Sequence, residues 1–116
     1  MKLTNPAQRL RIFIGEQDKW KGQPLYHALV LKAREMNMAG ATVIRCIEGF
    51  GRNSRIKTAR VLALSSDLPI VVEIVDNVEY IQSFLPVVKE MVKEGLVTLE
   101  DVEVIHYGCS DREEQD

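Results

Sequence analysis

Cysteine, proline, glycine and aromatic residues are all sparse in this chain of 116 residues, and each scarcity excludes something. The two cysteines, Cys46 and Cys109, form no CxxC and no Cys/His cluster. That sets aside thiolate metal sites, redox dithiols and a structural disulfide. Cys46 lies in an apolar run and reads as a small core residue. No apolar run approaches the roughly 18–20 residues that a membrane span requires. The opening segment, MKLTNPAQR, lacks the apolar centre of a signal peptide, so a cytoplasmic protein is expected. A basic excess is absent as well. The net charge is −2, which argues against nucleic acid as a partner. There is no P-loop, no GxGxxG, no repeat and no low-complexity tract. Ser54, Ser65 and Ser66 lack a histidine partner, and His27 and His106 lack a second histidine at i+3 or i+4. No catalytic residue, metal or cofactor is expected.

What is present is one domain spanning residues 1–116, with a core at about 8–107 and an acidic tail at 108–116. Residues 9–15 alternate: Leu10, Ile12 and Ile14 point one way, Arg9, Arg11 and Phe13 the other. That is a strand. After the polar loop EQDKWKGQP, Pro24 suits a first helical turn. Leu25, Ala28, Leu29, Ala33 and Met36 then recur at helical spacing, with an end near Asn37 and Gly40 just beyond. Residues 42–48 and 69–75 read as strands. Asp76, with Glu79 three residues on, predicts a capping box opening a helix striped by Val78, Ile81, Leu85, Val88 and Val92. Pro86 predicts a kink or break, Gly95 an end, and 101–107 a last strand.

The order β-α-β-β-α-β is the ferredoxin-like plan, an α+β fold with two helices on one face of a four-stranded antiparallel sheet. Phe13, Val71, Val75, Ile105 and Tyr107 are assigned to the other face, mixed with Arg11, Glu73 and Glu103. Several large apolar groups together on an open face predict a homo-oligomer with its sheets turned inward.

The connection at 49–67 is far longer than an ordinary hairpin turn. Gly49 and Gly51 allow positive φ and close approach to a ligand. Arg52, Arg55, Lys57 and Arg60 occur in a stretch, 52–66, that has no acid. The two arginine forks suit phosphate or carboxylate. The residues alone leave two readings: an anion- or partner-binding loop, or a flexible tip whose basic residues aid solubility. The EQDKW loop reads as a solvated turn with Trp20 packed against a neighbour.

The segment GATVIRCIEGFGR (40–52) resembles the PII signalling proteins, in which a G-x-T-V strand runs into G-F-G-R at the base of a long loop. The blocks IGEQDKW-GQPLY, AGATV, EGFGRNSR and DLPIVVEIVD resemble more closely the PII-like family called Domain of Unknown Function 190. The resemblance implies a homotrimer holding an adenine nucleotide in clefts between subunits. It implies that Thr42 and the backbone of Gly49, Phe50 and Gly51 border the nucleotide, that Arg52 lies near its phosphates, and that Glu73, Ile74 and Val75 line the adenine. Arg55, Lys57 and Arg60 then belong to an effector loop reporting to a protein partner, by family analogy a membrane transporter or channel. PII proteins also carry a glycine-rich segment with a lysine after the second helix. Here EGLVTLED has one glycine, no lysine after it and two acids after it, so AMP or ADP is expected over ATP. The alternatives are an interaction module without a small ligand, and a nucleotide-hydrolysing enzyme in the same cleft.

Overall fold

The structure, a computed structural model, describes residues 3–60 and 67–108. Four strands form the main sheet: β1 (Ala7–Gly15), β4 (Thr42–Arg45), β7 (Pro69–Asn77) and β8 (Leu96–Val102). Their order is β4-β7-β1-β8, with every neighbouring pair antiparallel. Helices α1 (Leu25–Glu35) and α2 (Val78–Met91) complete the expected ferredoxin-like order. Two short ribbons are added, β2 (Lys19–Trp20) with β3 (Gln23–Pro24), and β5 (Glu48–Gly49) with β6 (Lys57–Thr58).

Strand parity builds the core. Leu10, Ile12 and Ile14 from β1 meet Ile70, Val72 and Ile74 from β7 on the helix side. Leu25, Ala28, Leu29 and Ala33 of α1 and Ile81, Phe84, Val88 and Met91 of α2 cover them. The stripe of α2 is thus shifted from the expected one, with Leu85 and Val92 only at its margin. Helix α1 ends on Asn37 at φ 58°, where the N–H groups of Asn37 and Met38 return to Arg34 and Ala33. This is the Schellman arrangement. Pro24 stands as the N-cap of α1, outside its first turn.

Four expectations are corrected. Asp76 opens no capping box: it is the penultimate residue of β7, fully buried, and α2 starts at Val78 without a side-chain cap. Parity explains this, since Ile70, Val72, Ile74 and Asp76 share the inward face. Helix α2 runs through Pro86 without breaking, because that position is exposed while Phe84 and Val88 anchor either side. The second main strand stops at Arg45, not at 48. Cys46 N–H donates to Pro69 O (2.8 Å), but Pro69 has no N–H to return, so the ladder ends. Cys46 is consequently half-buried at the sheet edge and not in the core.

The last strand is Leu96–Val102, displaced from the expected 101–107. Val102 pairs with Ala7, the first residue of β1, so no strand remains for later residues to join. Only the Asn5 side chain continues, bonding Val104 N–H (2.9 Å) and O (3.2 Å). Glu103, Ile105 and Tyr107 therefore leave the sheet face. Ile44 and Leu96 replace them, and the register aligns Ile44, Val71, Phe13 and Leu96 in one apolar row across all four strands. The next rows carry Arg11 paired with Glu73 (2.8 Å) and Arg9 paired with Glu100. Helix α2 ends at Met91, and Gly95 sits in the turn to β8. A Cβ at Gly95 would lie 2.6 Å from the carbonyl oxygen of Phe13. Trp20 packs against this chain's own core, with Lys21 Nζ 5.3 Å from its ring centre.

Candidate functional site

The residues singled out in the sequence separate into two groups along β7, one beside its second half and one beside its first residue. In the first group, Thr42, Glu73 and Val75 line an open cavity of about 300 Å³. Its remaining wall comes from Leu3, the 39–41 backbone, and Val104, His106 and Tyr107 beyond β8. The Ala39 peptide is held on both sides. Its N–H donates to buried Asp76 Oδ2 (2.8 Å), and its carbonyl accepts the Tyr107 hydroxyl (3.1 Å). Asp76 Oδ1 also accepts the N–H of Asn77 (2.7 Å). Glu73 is committed to Arg11. Ile74 departs from its expected role, since its side chain is 1% exposed and faces the helices. Only its backbone can border a ligand.

In the second group stand Gly49, Phe50, Gly51 and Arg52, on and beyond the β5–β6 ribbon. Gly49 is opposite Lys57 and packs over the first residue of β7, where its Cβ would be 3.2 Å from Pro69 Cγ. Among the described residues, the left-handed backbone of this loop falls on Ser54 (φ 61°), not on Gly49 or Gly51. Ser54 N–H closes the turn on Gly51 O (2.9 Å). Phe50 is 69% exposed, Arg52, Arg55 and Arg60 are exposed, and no carboxylate of the described residues pairs with these three guanidinium groups. Residues 61–66, with Ser65 and Ser66, and the tail at 109–116, with Cys109, lie outside the described residues. Pro69 stands four residues from Glu73, the partner of Thr42, and six from Val75, so the two groups lie about 13–20 Å apart along β7.

Sequence reasoning missed a polar cluster at the Pro69 end, beside the Gly49 group. Lys57 is not a free cation but pairs with Asp67. Burial alone would raise the Asp67 carboxyl; the hydrogen bond and charge of Lys57, with the N–H of Gln17 (3.1 Å), outweigh it and hold Asp67 below the ordinary aspartate value. Glu16, 18% exposed at its side chain, pairs with Arg45 (3.0 Å) and accepts Leu68 N–H (3.2 Å). Local pattern carries no trace of contacts made fifty residues apart. Asp76 did leave a signal, in the parity of β7. His106 and Tyr107 were hidden by the misplaced last strand.

The family DUF190, described as "Uncharacterized ACR", matches residues 7–104. The chain belongs to this family. A UPF0166 protein of Aquifex aeolicus is 45% identical to this DUF190 protein over 97 residues, covering 84% of this chain and 91% of its relative. A UPF0166 protein of Methanocaldococcus jannaschii is 32% identical over 99 residues, with the same coverage. Among solved structures, the fold is similar to CPII, a nitrogen regulatory PII-like protein of Thiomonas intermedia K12 determined with ADP, AMP and bicarbonate. The TM-score is 0.59 at 17% identity, covering 85% of this chain and 88% of CPII. A CPII structure with ADP and bicarbonate gives 0.53 at 18% identity, with the same coverage. The fold is PII-like. No helix among the described residues is long and apolar enough to cross a membrane.

Proposed function

We propose that this DUF190 protein is a PII-like regulator that binds an adenine nucleotide between the subunits of a homotrimer. The observation that carries the reading is the separation of the two residue groups. Among the described residues no lysine or arginine lines the Thr42–Glu73–Val75 cavity, and Arg11 is paired with Glu73. The cations accompany Gly49 and Gly51, about 13–20 Å away along β7. A nucleotide needs an uncharged pocket for its base and donors for its phosphates. In the proposed trimer the cavity of one subunit faces the ribbon of its neighbour, which brings both together. The apolar row on the open sheet face supplies a surface for that assembly. CPII, which shares the fold, was captured with ADP and AMP.

AMP or ADP is favoured over ATP. The segment where a polyphosphate grip would be sought is strand β8, and its Glu100 and Asp101 are already bonded to Arg9 and Gln8. The 49–67 connection is the reporting element, carrying Arg55 and Arg60 to a protein partner, with a membrane transporter or channel as the family analogy. The role is regulatory and not catalytic.

A thermal-shift series with AMP, ADP, ATP and cyclic AMP, with and without magnesium, tests the reading. A ligand at a hundred times its dissociation constant stabilises the native state by about 2.7 kcal/mol. Arg52→Ala should reduce the shift and leave the oligomer mass unchanged. Absence of a shift with every adenine nucleotide would overturn the proposal. The exposed Ile47, Phe50 and Ile56 beside Arg52, Arg55 and Arg60 would then favour a loop that binds a protein directly.

A further inference from the structure

The turn after β1 takes no part in the nucleotide reading, yet it contacts both arms of the long connection. Glu16 Oε2 takes Arg45, the last residue of β4, as the chain leaves the sheet. Its Oε1 accepts Leu68 N–H (3.2 Å), and its own N–H donates to Leu68 O (2.9 Å), where the chain returns. One carboxylate therefore ties departure to return. Asp67 makes a second tie: its Oδ1 accepts Gln17 N–H from the turn, and its Oδ2 pairs with Lys57 on β6. Lys57 stands opposite Gly49 in the ribbon, so tension on Lys57 reaches Gly49 through two hydrogen-bonded strands. The turn itself is braced. Asp18 Oδ2 accepts Gly15 N–H (2.9 Å), and Asp18 O accepts Leu25 N–H (2.8 Å), which moors it to the start of α1.

We propose that Glu16 and Asp67 form a two-carboxylate clamp that fixes both arms of the 46–67 connection to the end of β1 and sets where Gly49–Arg52 stand. They are positioning residues and touch no ligand. The side chains of Glu16, Asp67 and Lys57 are only 18%, 29% and 28% exposed, so solvent screens them less than an open surface pair. The base of the connection is thus cross-tied at Arg45, Lys57, Asp67 and Leu68. Its effect on nucleotide binding rests on the function proposed above; the clamp itself does not.

Amide hydrogen exchange on the full-length protein without nucleotide tests the clamp. The reporters are Ala59 N–H, bonded to Ile47 O (2.8 Å), and Cys46 N–H, bonded to Pro69 O (2.8 Å). Glu16→Gln and Asp67→Asn keep shape and an acceptor oxygen but remove the charge. Each should raise exchange at Ala59 by about tenfold or more, the size expected for loss of a charged hydrogen bond, while amides of the central strand β7 keep their protection. In the wild type, about 1 M salt should also raise exchange at Ala59, and Asp67→Asn should have lost that salt response. Unchanged exchange in both variants, or no salt response in the wild type, would overturn the proposal. With AMP or ADP added, both variants should bind severalfold more weakly, and Arg52→Ala should weaken binding without altering exchange at Ala59. A wild type that binds no nucleotide would remove the proposed function and leave the clamp to be judged by exchange alone.

Discussion

Phe13→Glu places a carboxylate at the centre of the apolar row, and its consequence can be worked from exposure. Phe13 is 37% exposed, Ile44 45% and Leu96 58%, with Val71 half-buried between Ile44 and Phe13. Burying a whole side chain of this kind stabilises by about 1.5–3 kcal/mol. The exposed fractions together amount to somewhat more than one such side chain, so covering the row stabilises association by about 2–4 kcal/mol per subunit. Desolvating an unpaired carboxylate costs several kcal/mol. The charge therefore cancels the gain, and the contact should open. The separate chain tolerates it better, since position 13 there keeps more than a third of its surface in water. Light scattering after size exclusion should give three times 13.2 kDa for the wild type and 13.2 kDa for the variant, with circular dichroism reporting an intact fold. Phe13→Ala, which adds no charge, should fall between them. A Phe13→Glu protein with the mass of the wild type would refute the reasoning and move the interface elsewhere.

Further outcomes follow from buried and strained positions. Asp76→Ala should destabilise the chain by about 2–4 kcal/mol by leaving the N–H groups of Ala39 and Asn77 without their acceptor, read as a lower urea midpoint. Asp76→Asn should recover part of the loss. Gly95→Ala should cost about 1–3 kcal/mol, because φ 152° and a Cβ 2.6 Å from Phe13 O leave no relaxed position; an unchanged melting temperature would contradict this. Asp67 is held below its ordinary value of 3.8, so its contribution is present above that value and lost as pH falls through the lower folded value. Exchange at Ala59, corrected for its intrinsic pH dependence, should therefore stay protected down to about pH 4 and lose protection below it. The Asp67→Asn protein should lack that transition.

The strands and helices were legible wherever local periodicity met a buried face. Leu10, Ile12 and Ile14, and Ile70, Val72 and Ile74, announce inward positions by alternation, and Leu25 to Ala33 by helical spacing. Element order followed, and with it the sheet. Errors came where a local signal competed with a partner's length. DVEVIHY alternates like a strand, but Pro6 precedes β1 and only Asn5 is left to pair with. Asp76 resembled a cap because the acid and Glu79 are correctly spaced, yet parity had already turned it inward.

The candidate site divides along the same line. The GATV and EGFGR segments could be singled out because glycine and arginine carry their chemistry in residue type and spacing. That Thr42 stands beside the middle of β7 and Gly49 beside its first residue was decided by register, since each residue of β7 moves the chain about 3.3 Å. That Glu16 and Asp67 meet Arg45 and Lys57 was decided by tertiary structure alone. The strands bring Glu16 to Arg45 across 29 positions of sequence and Lys57 to Asp67 across 10, and an ion pair leaves no mark on the periodicity of either partner.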